Sequence, residues 1–497
     1  MYYALIGSMV FELCLFVPFI WRGRYILAPI SLLFTAFSIG WLVSWRLNIL
    51  SLFIVLLGTY RVLNLLRIFE NRLHPSSIRH ILLRASLVLI GLQIFITAIW
   101  YVFDQMVSSH TLWQLIALSD IAVAGAIFVL SIKNVIKLRF SWPEQHYSDR
   151  ELPTITVAIP ARNETNELAS CLDAVVGSDY PKLEILVLDD CSQDKTSEVI
   201  KGYAQAGVRF LHGNEPDDSW LAKNQAYDQL AQAANGEFIL FLGVDTQLGI
   251  KTIRSLVTLA LAKNKQMISV MPLRGGTSFG RSFIQPMRYW WELALPRKLL
   301  NRPAVLSTCW LVKRSVVTGS GGFSAVSQSV IPEAYFAKRL IGANAYSFIR
   351  SSGDLVVKSN KGFRDQLERA MRLRYPELHK RLELAGLLTL LELRFLLSPF
   401  VLVLVSVLGW IPNITWLVVI ASGLLIAAHL VILSAIAQPL TLSSLINFPV
   451  IVITEIILGN VSMLRYEFST VDWKGRNICI PVMWRQVQPS LDRPSSE

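Results

Sequence analysis

The chain has 497 residues, of which 53% are hydrophobic and 16% are charged, with a mean hydropathy of +0.46 and a net charge of +12. These values exclude an ordinary soluble enzyme of this length and indicate an integral membrane protein. Basic residues at a membrane surface face anionic lipid, which accounts for the positive charge. The sequence shows no stripe of basic and aromatic residues of the kind that binds nucleic acid, so we expect no nucleic acid as a partner.

Long uncharged runs crowd the first 140 residues and predict about five transmembrane helices, because a bilayer core requires roughly 20 apolar residues. They are approximately 3–20, 26–43, 49–66, 87–103 and 112–132. Basic residues fall on alternate loops, at Arg22–Arg24, Arg67–Arg79 and Lys133–Arg139. The positive-inside rule therefore predicts an external N-terminus and a cytoplasmic middle domain. We expect Arg61 and Arg84 to snorkel from helix ends, with no charged pair inside these spans.

After Pro143 the pattern changes to short apolar strands that alternate with helices. Strands are predicted at Thr154–Pro160, Glu184–Asp190, Val208–Gly213 and Glu237–Thr246, and helices at Glu164–Gly177, opened by Asn163, and Thr196–Ala206. This alternation predicts an α/β fold with a mostly parallel sheet. The strand at Glu184–Asp190 has no polar alternation, so it should be central and buried.

Polar side chains follow three of these strands, at Arg162–Glu164, at Asp189 with Asp190, and at Asp245. Ligands of such sheets bind at the carboxyl ends of the strands. No glycine-rich phosphate loop follows a strand, which argues against dinucleotide and P-loop sites. Oxygen ligands suit Mg²⁺ or Mn²⁺, so the carboxylates suggest a divalent cation that bridges to the phosphates of a nucleotide.

An ordered set of blocks between Pro153 and about Tyr375 resembles family 2 glycosyltransferases. The blocks are Val157–Glu164, Val187–Thr196, Ser219–Ala226, Phe241–Thr246, Gly321–Phe323 and Pro332–Leu340. Within the family, Trp220–Asn224 and the tail Trp473–Arg476 resemble enzymes that glycosylate carotenoids, hopanoids and ceramide-like lipids. The resemblance implies a cytoplasmic GT-A domain at 141–380, which ends in an amphipathic interfacial helix. Transmembrane regions at 1–140 and 381–497 would flank it.

The resemblance also implies a donor site. Its predicted residues are Pro160, Ala161, Arg162, Asn163, Glu164, Asp189, Asp190, Trp220, Lys223 and Asn224. Structural roles are the alternatives: Asn163 as a helix cap, Asp189 or Asp190 as a shaper of the turn, and Lys223 as a solvated side chain.

The chemical step is assigned by the same resemblance to two acids. Asp245 takes the last position of the metal-binding Asp-x-Asp, with Gly243 at the first. Glu333 takes the position of the general base, after Pro332. The alternatives are an exposed carboxylate that opens a helix for Asp245 and a helix N-terminal acid stabilised by the macrodipole for Glu333.

Farther on, Gln366–Tyr375 loosely resembles the Gln-x-x-Arg-Trp element of processive relatives, read with Arg374 and Tyr375 at its last two positions. Arg374 would then contact the pyrophosphate. A basic amphipathic helix on the membrane explains the segment equally well. The aromatic group Tyr289–Trp291 could line an acceptor entrance or pack in the core.

Three further apolar runs, at 396–410, 416–436 and 448–464, could span the membrane. The basic tail with Lys474 and Arg485 should stay cytoplasmic, so one run is expected to be re-entrant or interfacial. Glu392 and Arg394 suggest that the helix before the first run is interfacial. Glu455 is costly in lipid and should face protein or a polar headgroup.

These features predict an inverting glycosyltransferase that moves a sugar from a nucleotide-sugar donor, a UDP-sugar, to a membrane lipid. The donor and the lipid acceptor are its expected partners, and Mg²⁺ or Mn²⁺ its cofactor. Two alternatives stay open: a processive polysaccharide synthase, and a non-catalytic sugar-nucleotide-binding homologue or scaffold subunit.

Overall fold

The chain forms two compact units in a computed structural model. The first comprises Met1–Gln105, Arg381–Gly386 and Leu464–Glu497, and the second comprises Met106–Lys380 and Leu387–Met463. The structure describes residues 2–16, 24–45, 49–70, 75–106, 110–138, 147–217, 219–274, 281–294, 303–359, 363–411, 414–436, 447–468, 470–473 and 476–477. Lys474 and Arg485 of the predicted tail, and the side chains of Trp473 and Arg476, lie outside the described part.

The first unit is a bundle of apolar helices. Its helices are α1 (Tyr2–Cys14), α2 (Arg24–Trp45), α3 (Ile49–Glu70) and α4 (Pro75–Met106). Leu82–Ile99 within α4 is long and apolar enough to cross a membrane, and α1 and α2 contain shorter apolar segments. Leu15, Leu65 and Leu82 come from three parts of this sequence and pack together, which holds the bundle through apolar contact.

An ion pair lies in the interior of this bundle. Nη2 of Arg61 is 2.9 Å from Oε2 of Glu12, and both side chains are 0% exposed. Arg61 also donates to Oε1 of Gln93 (2.8 Å), and Ser86 donates to Oε1 of Glu12 (2.5 Å). The expectations that Arg61 snorkels and that these helices hold no charged pair are therefore wrong. Burial is tolerated because the guanidinium meets an acid and neutral polar groups.

The second unit is built around a seven-stranded sheet in the order β3-β2-β1-β4-β8-β6-β9. A smaller sheet has the order β5-β10-β7. The strands are β1 (Ile155–Ala161), β2 (Leu183–Asp189), β3 (Val208–His212), β4 (Phe238–Leu242), β5 (Thr246–Leu248), β6 (Met267–Met271), β7 (Leu273–Arg274), β8 (Cys309–Lys313), β9 (Tyr346–Arg350) and β10 (Val357–Ser359). In the large sheet only β8 runs antiparallel to its neighbours, which confirms the predicted α/β class.

Helices cover both faces of the large sheet. They are α6 (Leu168–Val176), α7 (Thr196–Gly202), α8 (Ala222–Ala233), α9 (Thr252–Ala262), α11 (Arg314–Gly319) and α12 (Pro332–Ile341). Two further helices of this unit, α10 (Arg281–Leu293) and α13 (Phe363–Glu377), pack against each other. Leu172 of α6 packs in one core cluster with Val157 of β1, whereas Leu230 of α8 packs in another with Ala158. Because both faces of β1 are covered, its sequence is a continuous apolar run without polar alternation.

Four long apolar helical stretches also belong mainly to the second unit. They are α5 (His110–Leu138), α14 (Leu382–Leu391) continuing through a π-helical segment (Glu392–Leu397) into α15 (Ser398–Val407), α16 (Thr415–Ala435) and α17 (Phe448–Glu467). With Leu82–Ile99 of α4 they make five stretches, among the described residues, that could cross a membrane. Such helices flank the sheet domain along the chain and indicate a membrane protein.

The first C-terminal apolar stretch is longer than the sequence suggested. Glu392 and Arg394 lie inside the continuous span Leu382–Val407, not in a separate interfacial helix. Arg394 forms an ion pair with the buried Asp120 of α5. The sequence predicts an apolar run that begins only after these charges, at residue 396, because the partner of Arg394 is distant in the chain. All three C-terminal stretches are long enough to cross a membrane, so length does not favour a re-entrant one.

Candidate active site

The carboxyl ends of β1, β2 and β3 meet at one edge of the large sheet. Ala161 pairs with Asp189, whose residue partner on β3 is His212. The N–H of Asp190 donates to the carbonyl of Ala161 (2.8 Å), and the N–H of Gly213 donates to that of Asp189 (2.9 Å). A Cβ at Gly213 would lie 2.8 Å from the carbonyl oxygen of Asp189, so only glycine permits this close approach.

The turn after β1 is fixed by the turn after β2. The guanidinium of Arg162 is buried and donates to the carbonyls of Asp190 (2.6 Å) and Cys191 (3.1 Å). Asn163 has a φ of +51°, and its Oδ1 accepts from the N–H of Gln193 (2.9 Å). The predicted helix cap by Asn163 is wrong, because the helix begins at Leu168 and the amide is used by the facing turn.

The adjacent aspartates have different surroundings. Oδ1 of Asp189 accepts from the N–H of Ser192 (3.1 Å), and Oδ2 accepts from the hydroxyl of Ser197. These are the contacts of a residue that shapes its turn. Asp190 is also buried, beside Arg162. The donor-binding roles predicted for Pro160–Glu164, Asp189 and Asp190 stay predictions, although the structure does gather these residues at one edge.

Asp245 lies just beyond the end of β4. Its Oδ2 accepts from the hydroxyl of Ser359 on β10 (2.7 Å), and the N–H of Gly243 donates to the carbonyl of Thr308 (3.0 Å). A Cβ at Gly243 would lie 3.0 Å from Oδ1 of Asp245. A side chain at position 243 would therefore crowd the carboxylate of Asp245.

One carboxylate is a limited donor set for a divalent ion. No group of three His, Cys, Asp or Glu side chains that could hold a metal occurs among the described residues. Mg²⁺ nevertheless binds in many proteins through one or two carboxylates together with substrate phosphates and water. Asp245 fits an ion of that kind, completed by the donor, and does not fit an ion held by protein alone.

Glu333 is the second residue of α12, and Pro332 precedes it. Its side chain is 2% exposed, and Oε2 has no hydrogen-bond partner among the described residues. Burial raises the pKa of Glu333, against the opposing positive charges of Lys223, Arg369 and Arg288. A hydrogen bond from its own backbone N–H also acts on the carboxylate. The general-base role of Glu333 therefore stays a prediction beside that of a helix N-terminal acid.

Tyr227 of α8 is a buried tyrosine on which the charges of both Glu333 and Asp245 act. Its ring packs against Phe241 of β4, with ring centroids 5.0 Å apart, and against Phe323 at 5.4 Å. Burial first, then the charge of Glu333 and more weakly that of Asp245, raises the pKa of Tyr227. The charges of both carboxylates therefore act on the same buried tyrosine.

The Trp220–Asn224 segment starts α8. Trp220 packs partly buried against the core beneath it. Lys223 places Nζ 5.0 Å from the ring centroid of Tyr227, and its positive charge acts on Glu333. Asn224 is buried, and its Nδ2 lies within hydrogen-bond distance of three carbonyls, those of Val326, Ser327 and Ser329. Its predicted role at the donor stays untested, while its amide is engaged within the protein.

Arg374 forms an ion pair with Glu455 on α17, one of the helices that are long and apolar enough to cross a membrane. Its Nε lies 2.7 Å from Oε1 of Glu455 on α17, and Nη2 donates to Oε2 (2.8 Å). Nε1 of Trp291 donates to the same acid (3.0 Å). Glu455 therefore faces protein, as expected. The pyrophosphate contact predicted for Arg374 stays a prediction, but its guanidinium already has this partner.

Arg369 is the basic residue of α13 that lies at the site. Its Nη2 donates to Oγ of Ser307 (3.3 Å), beside the start of β8, and its charge acts on Glu333 and Tyr227. Of the aromatic group Tyr289–Trp291, the first two residues are core: Tyr289 and Trp290 are buried, and the indole of Trp290 donates to Nδ1 of His429 (3.1 Å). Trp291 is half-buried, and its role at an acceptor entrance stays a prediction.

Four residues of the site were missed in the sequence: Tyr227, Ser307, Arg369 and Ser359. Ser307 lies two residues before β8 and Ser359 ends β10, and no strand was predicted at either place. Arg369 had a visible signal, since Gln366 stands three residues before it and completes a Gln-x-x-Arg spacing. Tyr227 stands four residues after Lys223, so both lie on one face of a helix.

Residues 156–319 match the family model described as Glycosyl transferase family 2. This part of the chain is therefore similar to family 2 of the glycosyltransferases. The match covers the strands β1 to β8, including the ends that carry Asp189 and Asp245. The family resemblance drawn from the sequence blocks is therefore confirmed as far as residue 319, and the blocks Gly321–Phe323 and Pro332–Leu340 lie beyond the matched residues.

Two curated relatives illustrate the family. A Campylobacter jejuni protein named GalNAc(5)-diNAcBac-PP-undecaprenol beta-1,3-glucosyltransferase is 32% identical over 100 residues, which are 20% of this chain and 31% of that protein. A Staphylococcus aureus 4,4'-diaponeurosporenoate glycosyltransferase is 28% identical over 121 residues, 24% of this chain and 32% of that protein. The chain spans about a third of the length of the curated relatives it matches.

Among solved structures, a mannosyltransferase from Pyrobaculum calidifontis in complex with GDP-Man and Mn²⁺ is similar with a TM-score of 0.43 at 16% identity. The alignment covers 71% of this chain and 98% of that one.

Proposed function

We propose that this family 2 glycosyltransferase is an inverting enzyme that transfers a sugar from a nucleotide-sugar donor, a UDP-sugar, to a hydroxyl or carboxyl group of a membrane lipid. The observation that carries the proposal is Glu333. It is buried, its Oε2 has no hydrogen-bond partner among the described residues, and its charge acts on Tyr227, as does that of Asp245. That arrangement suits a general base beside a donor site.

In the proposed reaction the acceptor oxygen attacks the anomeric carbon of the sugar. The new carbon–oxygen bond forms as the bond from that carbon to the diphosphate breaks, and the nucleoside diphosphate leaves with the electron pair. Oε2 of Glu333 receives the proton of the acceptor hydroxyl. The positive charges of Lys223 and Arg369, which act on the same site, would stabilise the negative charge of the diphosphate.

The donor would lie along the carboxyl edge of the sheet. Its nucleoside would rest against the turns after β1 and β2, at Pro160–Glu164 and Asp190. Its diphosphate would point toward Asp245 and Lys223. Asp245 would hold Mg²⁺ or Mn²⁺ together with the phosphates, and the ion would supply charge neutralisation when bound.

A lipid acceptor is supported by the apolar helices and by the names of the relatives. Four helical stretches that belong mainly to the second unit are long and apolar enough to cross a membrane, so the acids lie in a unit that also contains such helices. One relative's name includes undecaprenol. The basic loops predict that this domain faces the cytoplasm, where nucleotide sugars would be available to it.

The decisive experiment incubates the full-length protein in lipid nanodiscs with labelled UDP- and GDP-sugars, total lipid extract and Mn²⁺ or Mg²⁺. We expect label in the lipid fraction with a UDP-sugar and its loss on chelation. Nucleotide binding without turnover of any donor would instead establish the non-catalytic homologue, for which Gly243 in the Asp-x-Asp position is the argument. Long water-soluble product would establish the processive synthase.

The pH dependence of kcat should show the burial of Glu333. A general base works only when deprotonated, so the rate falls as pH drops through its pKa. Because burial raises the pKa of Glu333, the acid limb should lie above the ordinary carboxyl range of about 4.3. Steady-state rates from pH 4 to 9 at saturating donor and acceptor measure this. An acid limb at or below the ordinary range would contradict the burial of the base.

Replacing Arg369 should weaken donor binding. We expect Arg369→Ala to raise the dissociation constant of the nucleoside diphosphate about tenfold, because a charge-assisted hydrogen bond contributes roughly 1.5–3 kcal/mol. Titration calorimetry measures the change. Arg364→Ala removes an exposed guanidinium from the same helix and is the matched control. Equal affinities in both variants would place the diphosphate elsewhere.

A further inference from the structure

We propose that Asn224 and Asp228 of α8 are positioning residues that clamp the segment Gly321–Ile331 and thereby hold Glu333 at the reacting centre. The inference rests on the proposed function, because it assigns Glu333 as the base. It gives Asn224 a task different from the donor contact that the sequence implies. The clamp consists entirely of contacts between α8 and the segment that leads into α12.

Asn224 is the centre of the clamp. Its side chain is 1% exposed, and Nδ2 lies 2.9 Å from the carbonyl of Val326, 2.9 Å from that of Ser327 and 2.8 Å from that of Ser329. The N–H of Leu221 adds a fourth contact, to the carbonyl of Ser327 (2.9 Å). Only a donor-rich group satisfies clustered carbonyls at such a burial, since unmet buried acceptors cost free energy.

Asp228 holds the other end of the same segment. One turn of helix after Asn224, its Oδ1 accepts from the N–H of Phe323 (3.3 Å). Gly322 approaches this carboxylate with a φ of +65°, a left-handed conformation that glycine adopts at little cost. The ring of Phe323 then packs 5.2 Å from that of Phe336 on α12, between ring centroids. The segment is therefore pinned at both of its ends.

The position of the pinned segment determines the position of Glu333 at the start of α12. Ser329 is followed by only three residues before Glu333, and its Oγ accepts from the N–H of Ile331 (3.3 Å). A displacement at Ser329 would therefore be passed almost directly to the carboxylate. The same α8 carries Lys223 and Tyr227, which interact electrostatically with Glu333, so one helix bears on the position of the base and of two groups that affect its charge.

The charged and titratable groups that interact electrostatically with Glu333 come from three elements. They are Lys223 and Tyr227 from α8, Arg288 from α10 and Arg369 from α13. Loosening the segment would let water reach Glu333 and would lower its pKa toward the ordinary value, since burial is the main cause of the rise. A positioning role therefore has a signature in the pH profile that a donor contact does not have.

The test compares Asn224→Ala with the wild type in nanodiscs. We expect kcat to fall about a hundredfold, because a misplacement of roughly 1 Å can cost that much. We also expect an unchanged dissociation constant for the donor and an acid limb of kcat moved to lower pH. Hydrogen exchange at the amides of Val326 and Ser329 should accelerate. Asn235→Ala is the control: it removes an exposed asparagine amide bonded to Glu184 and should leave all four measurements unchanged.

Two results would overturn the clamp. Weaker donor binding with an unmoved acid limb would make Asn224 a donor contact, and unchanged exchange at Val326 and Ser329 would mean that its amide does not hold the segment. The exchange measurement needs no turnover. If the wild type transfers no sugar while exchange still accelerates in Asn224→Ala, the proposed function fails and the clamp remains.

Discussion

Glu333→Gln should lower kcat by roughly 10²–10⁴-fold, the usual contribution of a positioned general base. Glutamine has nearly the same size, but its amide cannot take up the proton of the acceptor. Donor binding should be unchanged because the substitution keeps the shape of the site. Single-turnover transfer from labelled donor to lipid measures the step directly, with the donor dissociation constant measured in parallel.

The loss should not reflect unfolding. Glu333 is a buried acid with an oxygen that lacks a hydrogen-bond partner among the described residues, and removing its charge relieves a desolvation cost. We therefore expect equal or higher thermal stability for the variant. Glu237→Gln changes an exposed acid just before the amino end of β4, opposite the carboxyl ends of the strands, and serves as the control. Retained transfer by Glu333→Gln would move the base to another residue.

The second large effect concerns stability. Arg61→Ala should lower the free energy of unfolding of the helical first unit by about 3–5 kcal/mol, the usual cost of leaving one member of a buried ion pair alone. The acid left behind is Glu12, which is 0% exposed. Reversible unfolding in mixed detergent micelles measures the change, and Arg84→Ala, at an exposed arginine of α4, is the control.

A double variant separates the charge from the packing. Glu12→Leu combined with Arg61→Met removes both charges and keeps apolar volume, so most of the lost stability should return. If Arg61→Ala proves as stable as the control, the pair does not form in the protein. If the double variant is less stable than either single one, the polar contacts to Gln93 and Ser86 hold the bundle instead.

The central sheet could be predicted because its signal is local. β1 and β2 are covered on both faces, so each is a short apolar run that ends in polar residues. The ordered blocks added the family, and with it the expectation that Asp245 and Glu333 share a site. The helix after β1 was misjudged by several residues, because Asn163 bonds to Gln193 in the facing turn instead of capping the helix.

The rest depends on partners that are distant in the chain. Arg61 was taken for a snorkelling residue because Glu12 lies 49 positions away on another helix. The basic segment 366–375 was read in a register that favours Arg374, although packing turns Arg374 toward Glu455 and leaves Arg369 beside Ser307. Periodicity shows which face of a helix is buried, but it cannot show what lies opposite that face.

The ion pair between Arg374 and Glu455 fixes the point along α17 at which α13 is attached. Glu455 comes seven residues after Phe448, the first residue of α17, so α13 is fastened about 10 Å along that helix. Trp291 of α10 is fastened at the same point. If α17 crosses the bilayer, the reacting centre works at a constant height above it. Acceptors would then be selected by the spacing between their apolar tail and the group that receives the sugar, as well as by their chemistry.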